Sequence, residues 1–215
     1  MRFALIALSF LFIHGAFCRA EEGRRQEEAS TSSTRPAPCV LMVVAHDGFR
    51  DEEYEVPRSV LEENGVKVRV ASSDTTSARG MMGLQVKPDL LLSEAGIEDF
   101  DCLLFVGGAG AKAYWDDEVA HSLARAAVDS GKVVGAICIA PVILARAGLL
   151  RGKKATVFKA RETVEAFKKG GVVYTGDEVT LSGRIDTGRD PKAANKFAGK
   201  ILDLLSRRPE VKEGE

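Results

Sequence analysis

KVVGAICIAPVILARAG, residues 132–148, is the stretch that decides the fold. Its first half is short, apolar and ends in small residues, the pattern of a strand buried on both faces. Its second half carries Pro141, which a helix tolerates in its first turn, and Gly148, which suits the position after the last. A strand that runs at once into a helix presents the residue at the join on a tight turn, the arrangement of a nucleophile elbow. That residue is Cys138. The helix N-terminus brings positive potential and free N–H groups, and both favour a thiolate over a thiol. The competing reading is a buried structural cysteine, the commoner fate of this residue type.

Working outward, the same alternation recurs. Residues 39–45, CVLMVVA, and 102–106, CLLFV, are further continuous apolar runs. The acidic stretch Asp51-Glu52-Glu53 opens a helix that ends at Asn64-Gly65, and residues 66–71 form a second strand. Residues 72–92 are a long excursion containing a small hairpin. Helices are expected over 116–130, near 162–169 and over 191–205, with short strands at 155–158 and near Val172 and Val179. Apolar strands alternating with amphipathic helices predict an α/β fold: a flavodoxin-like, doubly wound, mostly parallel sheet with helices on both faces. Ligands in such folds lie beyond the carboxyl ends of the strands. That selects residues 46–53, 107–110 and 138–141.

The chain has 215 residues, 30 basic and 31 acidic, for a net charge of -1. This balance excludes collagen-like, fully disordered and multi-pass membrane classes. It carries no basic excess, no aromatic platform and no phosphate-binding glycine motif after a strand, so no nucleic-acid partner is expected. No cofactor is expected either. Residues 1–20 read as a secretory signal peptide: Arg2, an apolar run too short to span a bilayer comfortably, then Ala20 before a polar break. This implies an exported protein, or a membrane-anchored one if the segment stays uncleaved. Residues 21–38, EEGRRQEEASTSSTRPAP, bury too little apolar surface to order and read as a linker. A folded domain over 39–206 and a polar tail over 207–215 complete the organisation. Past the signal, Cys39, Cys102 and Cys138 remain, with no CxxC and no metal-ligand spacing, so no metal site is expected. Cys39 and Cys102 open neighbouring strands and read as two buried thiols, with a disulfide as the alternative.

AICIAP at 136–141, followed by ILARAGLLRGKKAT, resembles the elbow of the DJ-one/PfpI superfamily, the PfpI-type cysteine peptidases and deglycases on a class I glutamine amidotransferase-like fold. GFRDEEYEVPRSVLEENGVKVRVAS at 48–72 resembles the first helix and second strand of that superfamily. DCLLFVGGAGA at 101–111 resembles its strand ending in paired glycines. The resemblance implies that Cys138 is the reactive cysteine and that Glu53 is the acid hydrogen-bonded to its sulfur. It also implies that the backbone N–H groups of Gly108 and Ile139 bind an oxyanion. A protonated Glu53 stabilises a thiolate and a charged one repels it, so a raised Glu53, a lowered Cys138 and coupled titration are expected. The bland alternative for Glu53 is a solvated helix-start acid.

The departures from the pattern are specific. Ile139 stands where the peptidase-like branch has His, Phe158 where the deglycase-like branch has one, and residues 109–112 supply no acid. His46 is a possible accessory group from the first strand's loop. His121 reads as surface or structural. Arg189 resembles a pocket-mouth arginine that holds anions; the alternative is a solvent-facing Arg at a turn. Tyr114-Trp115 reads as packing, with pocket lining or a subunit contact as alternatives. Three functions follow: an enzyme acting through the Cys138 thiolate on small electrophiles such as aldehydes, dicarbonyls or acyl groups; a redox sensor or chaperone-like protector of damaged proteins; or a binding module without chemistry. The resemblance also implies a homo-oligomer.

Overall fold

The computed structural model describes residues 36–207. The expected signal peptide, nearly all of the linker and the tail beyond Arg207 lie outside the described residues. The chain enters through β1 (Cys39–Val43), β2 (Asp47–Phe49), α1 (Asp51–Glu63) and β3 (Lys67–Ser72). Three short strands follow, β4 (Ala78–Gly80), β5 (Gln85–Val86) and β6 (Leu90–Leu91), then β7 (Cys102–Phe105). A 3₁₀ turn over Ala109–Tyr114 leads to α2 (Glu118–Asp129), β8 (Val133–Ile137) and α3 (Pro141–Arg146). The remainder is β9 (Lys154–Ala155), α4 (Arg161–Gly170), β10 (Val173–Tyr174), β11 (Val179–Ser182), β12 (Ile185–Gly188) and α5 (Ala194–Ser206). No helix among the described residues is long and apolar enough to cross a membrane.

The central sheet has seven strands in the order β11-β12-β8-β7-β1-β3-β6, parallel except for the β11–β12 pair. Its five principal strands follow the flavodoxin order, with the switch point between β1 and β7. Four strand ends stand level there: Val43 opposite Phe105, Phe105 opposite Ala136, and Ala136 opposite Thr187. Their loops therefore meet. Helix α1 packs on α5, while α2 packs on α3 and α3 on α4. Right-handed crossovers place these two groups on opposite faces. The strands carry the core: Val40, Leu41, Met42, Leu103, Leu104, Phe105, Val133, Val134 and Ile137 are all fully buried.

Two segments depart from the sequence-based expectation. The loop expected after the first strand contains β2, which pairs with β4 in a small sheet completed by β5. Strand β12 was not expected, because Asp186 and Thr187 interrupt its apolar pattern; both are nonetheless buried beside β8. The cysteines that open β1 and β7 are free. The register explains this: Cys102 lies opposite Val40, so Cys39 projects from the other face of the sheet.

Asp186 is fully buried, and neither carboxyl oxygen has a hydrogen-bond partner. It lies opposite Gly135, where a Cβ would come within 2.9 Å of Phe197, so this face of the sheet looks onto α5. Burial pushes the Asp186 carboxyl up from 3.8 to about 8, against the pull of the Thr187 amide and the Lys200 charge. Between those two values the folded protein holds a proton that the unfolded chain has released, so stability falls as pH rises through this window. Asp186→Asn should flatten that fall. Its melting temperature should exceed that of wild type at pH about 9 and match it more closely near pH about 4. Parallel melting curves for both proteins would contradict the assignment.

Candidate active site

Cys138 sits between β8 and α3 with φ of +63°, the only non-glycine residue at positive φ among the described residues. Such a conformation costs about 1–3 kcal/mol and persists only where the surroundings over-determine it. Here both of its backbone groups are held: its N–H donates to the Gly188 carbonyl at 2.9 Å, and its carbonyl accepts from the Phe158 N–H at 2.8 Å. The residue is 9% exposed. The strand that sequence patterning did not reveal, β12, thus supplies half of the support for the elbow.

The two amides named by the resemblance point at the sulfur, and the structure shows what aims them. In a trans peptide the carbonyl and the N–H point in opposite directions. The Cys138 carbonyl is drawn outward by Phe158, so the Ile139 N–H of the same peptide plane turns inward. The Gly107 carbonyl accepts from the Arg50 N–H at 3.0 Å, so the Gly108 N–H also turns inward. Gly108 has φ of +97°, and a Cβ there would overlap the Arg50 nitrogen and lie 2.5 Å from the Gly48 oxygen. Gly107 is equally constrained. A Cβ on it would strike Glu53 Oε2 and lie 2.6 Å from Cys138 Cβ. The glycine pair is therefore what lets the acid and the thiol meet.

Glu53, in the first turn of α1, is fully buried, and neither oxygen has a conventional hydrogen-bond partner. The groups acting on it include the Cys138 thiol, the Arg50 and Glu52 charges and the Gly107 backbone. Burial dominates and pushes its carboxyl up from 4.5 to about 8. The solvated-acid reading is thereby excluded. Its neighbour Asp51 has a different task. It accepts from the Met82 and Leu84 N–H groups at 2.8 and 2.9 Å and ties the β4–β5 hairpin to α1.

The expected low thiol is corrected. Burial first, and the Glu53 charge second, push Cys138 up to about 12; the Gly108 and Ile139 amides pull it down but do not prevail. Helix α3 is only six residues long, so it lends little dipole to the sulfur. With Glu53 protonated, the repulsion disappears and the carboxyl becomes a donor. The two groups therefore titrate as a pair.

The accessory residues are placed less centrally. The His46 carbonyl accepts from the Arg79 N–H at 2.8 Å, and its ring Nδ1 is buried without a hydrogen-bond partner. Arg189 follows Gly188 directly, but its Nε donates to Asp190 at 2.9 Å and its Nη1 to the Gly176 carbonyl at 3.1 Å. His121 is buried, with Nε2 2.9 Å from the Trp115 carbonyl. Two exposed apolar residues bond to the backbone of the site segments; sequence reasoning singled out Phe158 only as standing where a His was expected, and did not single out Met81. Phe158, 44% exposed, is bonded through its backbone to Cys138. Met81, 50% exposed, accepts at Sδ from the Ala109 N–H beside Gly108 at 3.5 Å. Among the described residues, no three His, Cys, Asp or Glu side chains cluster to hold a metal ion.

Comparison with known proteins places these features in context. The model of the DJ-1/PfpI family matches residues 39–204. The chain is 34% identical to a deglycase of Pyrococcus horikoshii over 166 residues, 77% of this chain and 98% of that one. It is 28% identical to a glutathione-independent glyoxalase of Caenorhabditis elegans, over 77% of this chain and 87% of that one. The crystal structure of a ThiJ/PfpI domain protein from Brachyspira murdochii superposes with a TM-score of 0.76 at 32% identity, covering 80% of this chain and 98% of that one. With the family model spanning the whole sheet and both halves of the site, the chain belongs to the DJ-1/PfpI family.

Proposed function

We propose that the protein transforms small reactive carbonyl compounds through a covalent adduct on Cys138, with Glu53 carrying the proton. The observation that supports this most directly is the buried Glu53 carboxyl facing Cys138, with two amides aimed at the same point. Relatives named for deglycase and glyoxalase activity support the substrate class. The exposed apolar residues Met81 and Phe158, which bond to the Ala109 and Cys138 backbones, suit an uncharged carbonyl compound.

The chemistry balances with the chain's own groups. The Cys138 proton passes to the Glu53 carboxylate as the sulfur attacks an aldehyde carbon. The S–C bond forms, the C=O π bond opens, and the oxygen takes the negative charge toward the Gly108 and Ile139 N–H groups. Glu53 then returns the proton to that oxygen, leaving a hemithioacetal. With a second carbonyl next door, Glu53 removes the hydrogen on the former aldehyde carbon as a proton and delivers it to the neighbouring carbon, while the hydroxyl proton on the former aldehyde oxygen passes to the neighbouring oxygen. The product is a 2-hydroxy thioester, which water cleaves to a hydroxy acid and the free thiol. A carboxyl near 8 is a stronger base than an ordinary one and still exchanges its proton readily at neutral pH. The same burial that raises the thiol makes Cys138 a slow target for peroxide, since oxidation follows thiolate character.

Steady-state turnover of methylglyoxal and phenylglyoxal tests the reading. Wild type should turn over and Cys138→Ser should not. Glu53→Gln should lose roughly 10²–10⁴-fold in kcat, the usual contribution of a positioned acid–base group. Catalysis needs one proton removed from the pair, so kcat/KM should rise with pH up to about 8 and then level off, and Glu53→Gln should lack that limb. An inactive wild type, or an active Cys138→Ser, would overturn the reading.

A further inference from the structure

Trp115 follows the 3₁₀ turn that begins beside Gly108, and three contacts tie it and its neighbour to the elbow and α3. Its indole Nε1–H donates to the Ile139 carbonyl at 3.1 Å in a buried bond. Its ring carries the Arg146 guanidinium 5.1 Å from the centroid on α3, and the Lys112 ammonium 5.4 Å away on its own turn. Arg146 also pairs with Asp116, and Lys112 pairs with Glu162 on α4. Trp115 as a whole is 6% exposed. Tyr114 anchors the other side of the turn: its hydroxyl donates to the Val44 carbonyl at 3.0 Å and accepts from the Ser73 N–H at 3.1 Å.

The two inward amides belong to different segments, Gly108 to the loop after β7 and Ile139 to the elbow. The Ala109–Tyr114 turn leads from the first amide to Trp115, and the indole bond closes the path onto the residue that bears the second. The ring thus bridges the two halves of the oxyanion site. We infer that Trp115 is a positioning residue that sets the separation of the Gly108 and Ile139 N–H groups, with Arg146 holding the ring in place. This rests on the reading above that those amides receive the oxyanion. Trp115 acts through its bond to the Ile139 carbonyl.

Trp115→Phe retains an aromatic ring for both cations and removes the N–H donor together with part of the buried ring volume, so melting temperature is followed alongside. A donor displaced from the place where charge develops costs rate without weakening ground-state binding. The variant should lower kcat for phenylglyoxal roughly tenfold with KM within about twofold. The same amides also draw on the sulfur, so iodoacetamide alkylation of Cys138 at fixed pH should slow by roughly three- to tenfold, with Cys39 and Cys102 replaced by Ser throughout. The half-exposed Arg146 gives a second variant, Arg146→Gln, in which both effects should appear at about half the size on a logarithmic scale. Because alkylation needs no turnover, the outcomes separate. An inactive wild type in which both variants still slow alkylation refutes the enzymatic reading and keeps the positioning role. Unchanged kcat and alkylation in both variants overturn the positioning role. A KM rise that matches the loss in kcat/KM, or losses that track only a lowered melting temperature, also overturn it.

Discussion

An acid and a thiol are buried side by side, and everything near the elbow follows from that. Neither Glu53 nor Cys138 can ionise freely. Burial disfavours both charged forms, and each charge raises the cost of the other. The pair gives up its first proton near neutrality and holds the second far above it. A pair of that kind carries one negative charge that can sit on oxygen or on sulfur. This suits chemistry in which a proton leaves a nucleophile and returns to the product. It suits a permanently exposed thiolate much less.

The rest of the fold keeps this pair from escaping its strain. Cys138 remains in a left-handed conformation because β12 and the Phe158 backbone hold its two peptide groups. Gly107 and Gly108 lack the Cβ atoms that would separate the loop after β7 from α1. The amides that face the sulfur are each aimed from behind, by Arg50 and by Phe158, through the opposite side of the same peptide plane. These are backbone devices. They survive changes of side chain, so they are compatible with a site whose Ile139 and Phe158 carry no imidazole.

Much of this was legible in the sequence because it lies in local pattern. The alternation of apolar runs with helices read out the doubly wound sheet, and the strand read in the first half of residues 132–148 is β8. The elbow announced itself through Cys138 between a strand and Pro141. The paired glycines at 107 and 108 were singled out by the resemblance, and the structure showed that Glu53, Cys138 and Arg50 crowd them. What stayed hidden depends on partners distant in sequence. Strand β12 is buried despite Asp186 and Thr187, so composition argued against it. The supports from Arg50 and Phe158 use main-chain atoms, which side-chain identity does not report. The direction of the Cys138 shift was misjudged because dipole and amides were weighed without the burial that outweighs them.

The central claim is that Glu53 holds its proton near neutrality because it is buried against Cys138. The ¹³C chemical shift of the Glu53 carboxyl, followed across pH in wild type and in Cys138→Ser, tests it without any substrate. A midpoint raised from 4.5 to about 8, moving when the sulfur is replaced, is the predicted result. A midpoint near 4.5 that ignores Cys138 would mean that the carboxyl is hydrated and independent of the thiol, and the account of the site would fail.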